Sequence, residues 1–138
     1  MGILIGLTGR AGVGKDLVAS HLQQKYAFKT MSFAAPLKKG AAEIFGISEI
    51  YFHNRDMKET IAPHWGITPR SMLQLLGTEG VRNNFGEDFW IKRWLMDYSI
   101  VGELDDVVVT DVRFSNEAQV IRDLGGVLVH IIRPGVSE

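Results

Sequence analysis

The segment Gly9-Arg-Ala-Gly-Val-Gly-Lys15 constrains this chain more than any other, because its glycine and lysine spacing leaves few folds open. It satisfies the pattern G-x-x-x-x-G-K and has the flanks that the pattern requires. Ile3-Leu-Ile-Gly-Leu7 before it is a nearly continuous apolar run, as expected of a strand buried on both faces. After it, the stretch from about Lys15 to Lys25 reads as a helix with Val18 and Leu22 spaced for one face. Glycines permit backbone angles that turn successive N–H groups inward, and their missing side chains let phosphate oxygens approach. The helix N-terminus adds partial positive charge. Lys15 then extends toward the β- and γ-phosphates of a nucleotide as a mobile point charge. Gly9, Ala11, Gly12, Val13, Gly14, Lys15 and Asp16 are therefore the candidate phosphate-binding residues. The competing reading is a glycine-rich turn with an exposed lysine.

Asp16 departs from the pattern, since Ser or Thr normally supplies a hydroxyl to Mg²⁺ at that place. A carboxylate is a competent hard-oxygen ligand, directly or through water. It equally suits the first turn of a helix, so both readings stand. A second carboxylate, Asp111, ends the apolar run Val107-Val-Val-Thr. In proteins with this loop, a strand-end aspartate holds Mg²⁺ or its waters, and Asp111 is the candidate here. A solvated strand-end aspartate is the alternative. Arg113, two residues on, has a guanidinium that can fork onto a phosphate, with Asn116 and Glu117 placed either to orient it or simply to open a helix. Arg10, inside the loop, can meet a transferring phosphoryl group or sit exposed at the loop tip. Lys15, Arg10, Asp111 and Arg113 form the candidate catalytic set, and Asp16 and Asp111 the candidate metal ligands.

The rest of the chain alternates strands and helices. Phe28 to Phe33 suits a second strand, and Pro36 opens a helix through Leu37, Ala41 and Ile44 that stops at Gly46. Residues from Ile47 to about His64 read as polar and irregular. Thr68-Pro69 reads as N-cap and first position of a helix that ends or bends near Gly77 or Gly80. Asp88 suits the cap of another helix with Ile91, Trp94, Leu95 and Tyr98. Ser115 and Glu117 open a helix closed by Gly125-Gly126, and Val127 to Ile132 supplies a further strand. Such alternation implies βαβ units, right-handed crossovers and a parallel sheet: a single α/β domain.

With the loop and the strand end assigned to a phosphoryl donor, the middle region is where an acceptor should bind. Arg70, Gln74, Thr78, Glu79 and Arg82 recur every three to four residues and would form one polar edge of a continuous helix. Phe89 and Trp90 can stack on a base. A solvated helix face and ordinary core aromatics are the alternative for each. His53 and His64 sit at no metal-ligand spacing and read as loop histidines.

Composition narrows the function classes. The 138 residues suffice for one domain with a hydrophobic core, at 46% hydrophobic and 22% charged residues. A net charge of −1 argues against attachment to nucleic acid or an anionic membrane by bulk charge. The absence of cysteine excludes disulfides, thiolate zinc sites and a cysteine nucleophile. The N-terminus lacks the basic region and long apolar core of a signal peptide. No apolar run nears the roughly 18 residues of a membrane span, so a cytoplasmic protein is expected.

These segments together resemble the bacteriophage-type deoxynucleoside monophosphate kinases. The likeness rests on Leu7-Thr-Gly-Arg-Ala-Gly-Val-Gly-Lys-Asp16, Phe33-Ala-Ala-Pro-Leu-Lys38, Leu73-Gln-Leu-Leu-Gly-Thr-Glu79 with Arg82, Asp88-Phe-Trp-Ile91 and Thr110-Asp-Val-Arg-Phe-Ser-Asn-Glu117. They run across nearly the whole chain in family order, and Gly-Lys-Asp is itself a family trait. Phosphomevalonate kinases look similar around Gly-Lys-Asp and Asp-x-Arg, while the Gln-Leu-Leu-Gly-Thr-Glu and Asp-Phe-Trp segments favour the nucleotide kinase. The resemblance implies a three-layer α/β/α kinase domain over residues 1–138, with a mostly helical acceptor-binding insertion at about 47–100. It implies transfer of the ATP γ-phosphoryl group to a deoxynucleoside monophosphate, with Mg²⁺. On it, Arg70, Gln74, Arg82, Trp90 and Arg113 are the candidate acceptor-binding residues. Other P-loop kinases and a non-catalytic nucleotide-binding module are the rival functions. Partners would be small nucleotides, with no nucleic acid or membrane; the family often forms dimers, so a homodimer is admitted, in the host cytoplasm if phage-encoded. Family members usually continue past Arg133-Pro-Gly135 into a further strand, so this chain is expected to lack the last strand of the sheet.

Overall fold

A computed structural model describes residues 2–10 and 12–135 of the chain. Two compact units emerge, one joining Met1–Phe33 to Ile91–Glu138 and the other spanning Ala34–Trp90.

The first unit is built on four parallel strands: β1 (Leu4–Thr8), β2 (Lys29–Met31), β3 (Val107–Val109) and β4 (Val127–His130), in the order β2-β3-β1-β4. Strand alternation sends successive side chains to opposite faces. From β1 and β3, Leu7 and Val108 go to one face, where they pack with Ala19, Val18 and Leu22 of helix α1 (Lys15–Tyr26) and with Phe28. Leu4, Val107 and Val109 go to the other, against Trp94 of helix α6 (Phe89–Val101) and Ile121 of helix α7 (Ser115–Asp123). Helices thus cover both faces, giving three layers. Val107, Val108 and Val109 are fully buried. Each such side chain stabilises the fold by about 1.5–3 kcal/mol relative to exposure, which explains why the run reads as uniformly apolar.

The second unit is helical. It holds α2 (Ala35–Phe45), a 3₁₀ turn (Glu49–Phe52), α3 (Arg55–Lys58), α4 (Pro69–Gln74), a π-helical segment (Leu75–Arg82) and α5 (Asn83–Phe85). The first two residues of α6, Phe89 and Trp90, also lie in this unit. Its core is Ala41, Phe52, Ala62 and Met72. The polar stretch after Ile47 is not irregular throughout: Ser48 and Asn54 cap the 3₁₀ turn and α3 by accepting from Ile50 N and Met57 N. Short capped turns lack a long apolar period, so periodicity alone does not reveal them. The Thr68-Pro69 start holds, with Thr68 Oγ1 accepting from Ser71 N. Near Gly77 and Gly80, where an end or a bend is expected, the chain does not leave the helix but its regular α turns give way. The helix continues there with wider π turns, and the chain leaves it only at Gly86, whose φ is +118°. The segment packs closely at Gly77, where a Cβ would lie 2.6 Å from Leu37 Cδ2.

Candidate active site

The end of β1 feeds directly into the glycine loop, and the loop into α1. Gly9, Gly12 and Gly14 have φ values of +139°, +82° and +108°, which side-chain-bearing residues rarely adopt. At Gly9 there is also no room, since a Cβ would lie 2.7 Å from Ile131 O. At Gly14 the opposite holds: a Cβ would meet nothing within 4 Å, so the loop presents open space at the N-cap of α1. The first amides of an α-helix have no carbonyl one turn earlier to bond, and here they border that space. Val13 is buried and anchors the loop, with its N–H donating to Arg10 O at 3.3 Å. Ala11 lies outside the described residues.

Lys15 Nζ donates to Gly9 O at 2.8 Å and so spans the loop from its last residue to its first. Burial lowers the Lys15 pKa, and the nearby Arg113 guanidinium lowers it further, while Asp111 and Asp16 oppose the shift. Asp111 and Arg113, far away in sequence, come to the glycine-loop end of the sheet because β1 and β3 are adjacent and parallel, and Arg113 lines one hollow with Gly9 and Arg10. Asp111 Oδ1 accepts from Phe33 N at 3.0 Å, tying the end of β3 to the chain leaving β2. Asp16 is exposed in the first turn of α1.

Arg113 follows on a segment fixed at its far end by Glu117, whose Oε1 accepts from Arg113 N at 2.8 Å and Phe114 N at 3.0 Å. Thr8, Arg10, Arg113, Ser115 and His130 line an open hollow of about 400 Å³ beside the loop. The Thr8 hydroxyl and His130 Nδ1 share a hydrogen bond of 2.9 Å across paired positions of β1 and β4. Arg133 Nη1 donates to Gly12 O at 3.4 Å. Thr8, His130 and Arg133 do not stand out in the sequence. The only signal for them is that β4 runs parallel to β1, which brings its C-terminal end level with the loop.

The fit of a divalent cation follows from the donors. Asp16 and Asp111 are hard-oxygen groups that both act on Lys15. No cluster of three or more His, Cys, Asp or Glu side chains suited to a metal occurs among the described residues. Two carboxylates match the way in which Mg²⁺ is commonly held, by one or two such groups with substrate phosphates and water.

The remaining candidates lie in the second unit. Arg70 is exposed and paired with Glu59, and Gln74 is exposed at the end of α4. Arg82 is half-buried at the end of the π segment. Trp90 is half-buried, donates from Nε1 to Gly77 O at 3.2 Å and meets Phe89 edge-on with ring centroids 4.8 Å apart. The π turns change the spacing of the polar edge, because five-residue bonds advance each residue by less than an α turn does.

The family model for deoxynucleotide monophosphate kinase matches residues 42–138. The chain is 40% identical to a putative deoxynucleotide monophosphate kinase of Acanthamoeba polyphaga mimivirus, over 99% of this chain and 77% of that protein. The chain belongs to the deoxynucleotide monophosphate kinase family. Two phage relatives extend the comparison. The deoxynucleoside-5'-monophosphate kinase of Escherichia phage T5 is 27% identical over 96% of this chain and 78% of its own length. The deoxynucleotide monophosphate kinase of Enterobacteria phage T4 is 32% identical over 58% of this chain and 33% of its own length. The glycine loop precedes the span of the family model, while Asp111, Arg113 and the π segment fall within it.

Proposed function

We propose that this family member transfers the γ-phosphoryl group of ATP to a deoxynucleoside monophosphate, giving the diphosphate and ADP. The observation that carries the reading is the meeting of the glycine loop with the end of β3: Lys15 Nζ spans the loop to Gly9 O, and Arg113 lines one hollow with Gly9 and Arg10. In the transfer, an oxygen of the acceptor phosphate forms a bond to the γ-phosphorus as the bond from that phosphorus to the β-bridging oxygen breaks. The acceptor monophosphate is already a good nucleophile, so alignment and charge neutralisation do most of the work.

On this reading, the amides of residues 9–16 and Lys15 hold the donor phosphates. Lys15 releases Gly9 O and turns to the phosphate oxygens. Arg10 and Arg113 neutralise charge on the phosphoryl group in transit, with Arg113 also reaching the acceptor phosphate. Asp16 and Asp111 would hold Mg²⁺, which neutralises charge on the β- and γ-oxygens when bound. Within one kinase domain, the helical insertion at about 47–100 binds the acceptor through Arg70, Gln74, Arg82 and Trp90. Arg70 gives up Glu59 to do so. No helix among the described residues is long and apolar enough to cross a membrane. We place the protein in the cytoplasm, that of the host for a virus-encoded chain, acting on free nucleotides without nucleic acid. Light scattering tests the homodimer that the family resemblance admits.

The test is coupled release of ADP over a panel of deoxynucleotides, ribonucleotides and phosphomevalonate. Turnover with one or more deoxynucleoside monophosphates is expected. Turnover confined to a non-nucleotide acceptor, or ATP binding without any turnover, would overturn the reading. Family membership favours the nucleotide acceptor over both rivals.

A further inference from the structure

We propose that Glu117 is a positioning residue for phosphoryl transfer, holding the Arg113 backbone so that its guanidinium stays at the mouth of the glycine loop. The inference rests on the role proposed for Arg113 in the transfer.

Glu117 is the one charged or polar side chain buried among the described residues, at 5% exposure. Burying a carboxylate is costly unless donors replace its water. Here Oε1 takes two of them, the N–H groups of Arg113 and Phe114. Glu117 stands three positions into α7 and reaches back over its start, the acidic half of a capping box. A cap needs only the N–H of Phe114, the residue before the helix. The bond to Arg113 N is the additional feature, and at 2.8 Å it is the shorter of the two.

The segment from Asp111 to Glu117 is thereby held at three points. Asp111 is held by Phe33 N, Val112 is buried in the core of the first unit, and the peptide N–H groups of Arg113 and Phe114 are held by Glu117. The Arg113 side chain itself is exposed, and what Glu117 fixes is the backbone from which it springs. Arg113 lines the hollow beside the glycine loop together with Gly9 and a second cation, Arg10. Two cations kept close together cost stability unless an anion comes between them. A backbone anchor fixes the point from which the Arg113 side chain reaches the loop.

The test compares Glu117→Ala, Glu117→Gln and Arg113→Ala, alone and combined, at a temperature where circular dichroism shows each fully folded. Gln keeps an Oε1 that can accept both N–H groups. Glu117→Ala should lower kcat/KM about ten- to hundred-fold, the size expected when a catalytic group is misplaced by about 1 Å. The loss should fall on kcat and on acceptor KM, with ATP affinity little changed, and Glu117→Gln should recover most of it. In the Arg113→Ala background, Glu117→Ala should cost little more, because both changes remove one function. Glu117→Asp, which withdraws the oxygen by one methylene, carries the same comparison if the Ala variant does not fold. Native kcat/KM in the folded Ala or Asp variant overturns the inference, as does full additivity with Arg113→Ala. Native activity in Arg113→Ala would instead overturn the role of Arg113 itself.

Discussion

Lys15 shows how a single side chain carries both the cost and the purpose of the site. Its ammonium is partly desolvated and faces a second cation, which lowers its pKa, and two carboxylates only partly offset this. Such a group is held ready for an anion. Lys15→Ala should leave the protein folded and lower kcat by at least about 10²–10³-fold, the loss typical of removing one charge-stabilising contact. Circular dichroism and the coupled assay check the two halves. The direction of the shift also fixes a pH dependence. The folded state releases the Lys15 proton at lower pH than the unfolded chain does. Its contribution therefore destabilises the fold while both states are protonated, and that penalty fades as pH rises from the lowered pKa to the ordinary lysine value. ATP affinity should move the opposite way, weakening over that same alkaline window. Calorimetric titration with ATP across it should show the fall in native protein and little of it in Lys15→Arg, which keeps its charge.

At the scale of elements, the sequence-to-structure link is strongest where a terminus is chemically marked. Thr68 accepts from Ser71 N and precedes Pro69, a start fixed by local chemistry alone. Thr68→Ala should cost about 1 kcal/mol of stability, read from chemical denaturation, without touching the glycine loop. The π segment that follows is different. Leu75–Arg82 contains Gly77 and Gly80, which by propensity should end a helix, yet the turns continue. Gly77 faces Leu37, and its carbonyl accepts from Trp90 Nε1, so packing and one side-chain bond sustain it. Those contacts are non-local, and that is why no local window shows the helix running on through both glycines.

For the whole molecule, the proposed function predicts linked stabilisation. ATP with Mg²⁺ at about a hundred times its Kd should stabilise the fold by about 2.7 kcal/mol. For a chain of this size that raises Tm by several degrees, roughly 5–10 °C. Adding EDTA should reduce the shift given by ATP, while a Lys15→Ala variant should show little of it with or without metal. Thermal melts with each addition decide it. An ATP shift indifferent to EDTA would count against Asp16 and Asp111 as the ligands of a metal.

How much can be read in the sequence differs between the two halves of the proposed site. The glycine loop, β1, the Val107–Val109 strand, its closing Asp111 and the start of α7 are all legible, because each depends on residues near one another in the chain. A left-handed glycine, a capping oxygen and an unbroken apolar run act over a few positions. The parallel sheet follows from the alternation of strands and helices. Only the tertiary structure brings Arg113 and Asp111 to Lys15, pairs Thr8 with His130 and turns Glu117 from one of two candidate orienters into a buried anchor. Those contacts span most of the chain, and their energies come from burial and strand pairing that no local window contains. The phosphate loop was determined by its own residues; its neighbours were decided by the fold.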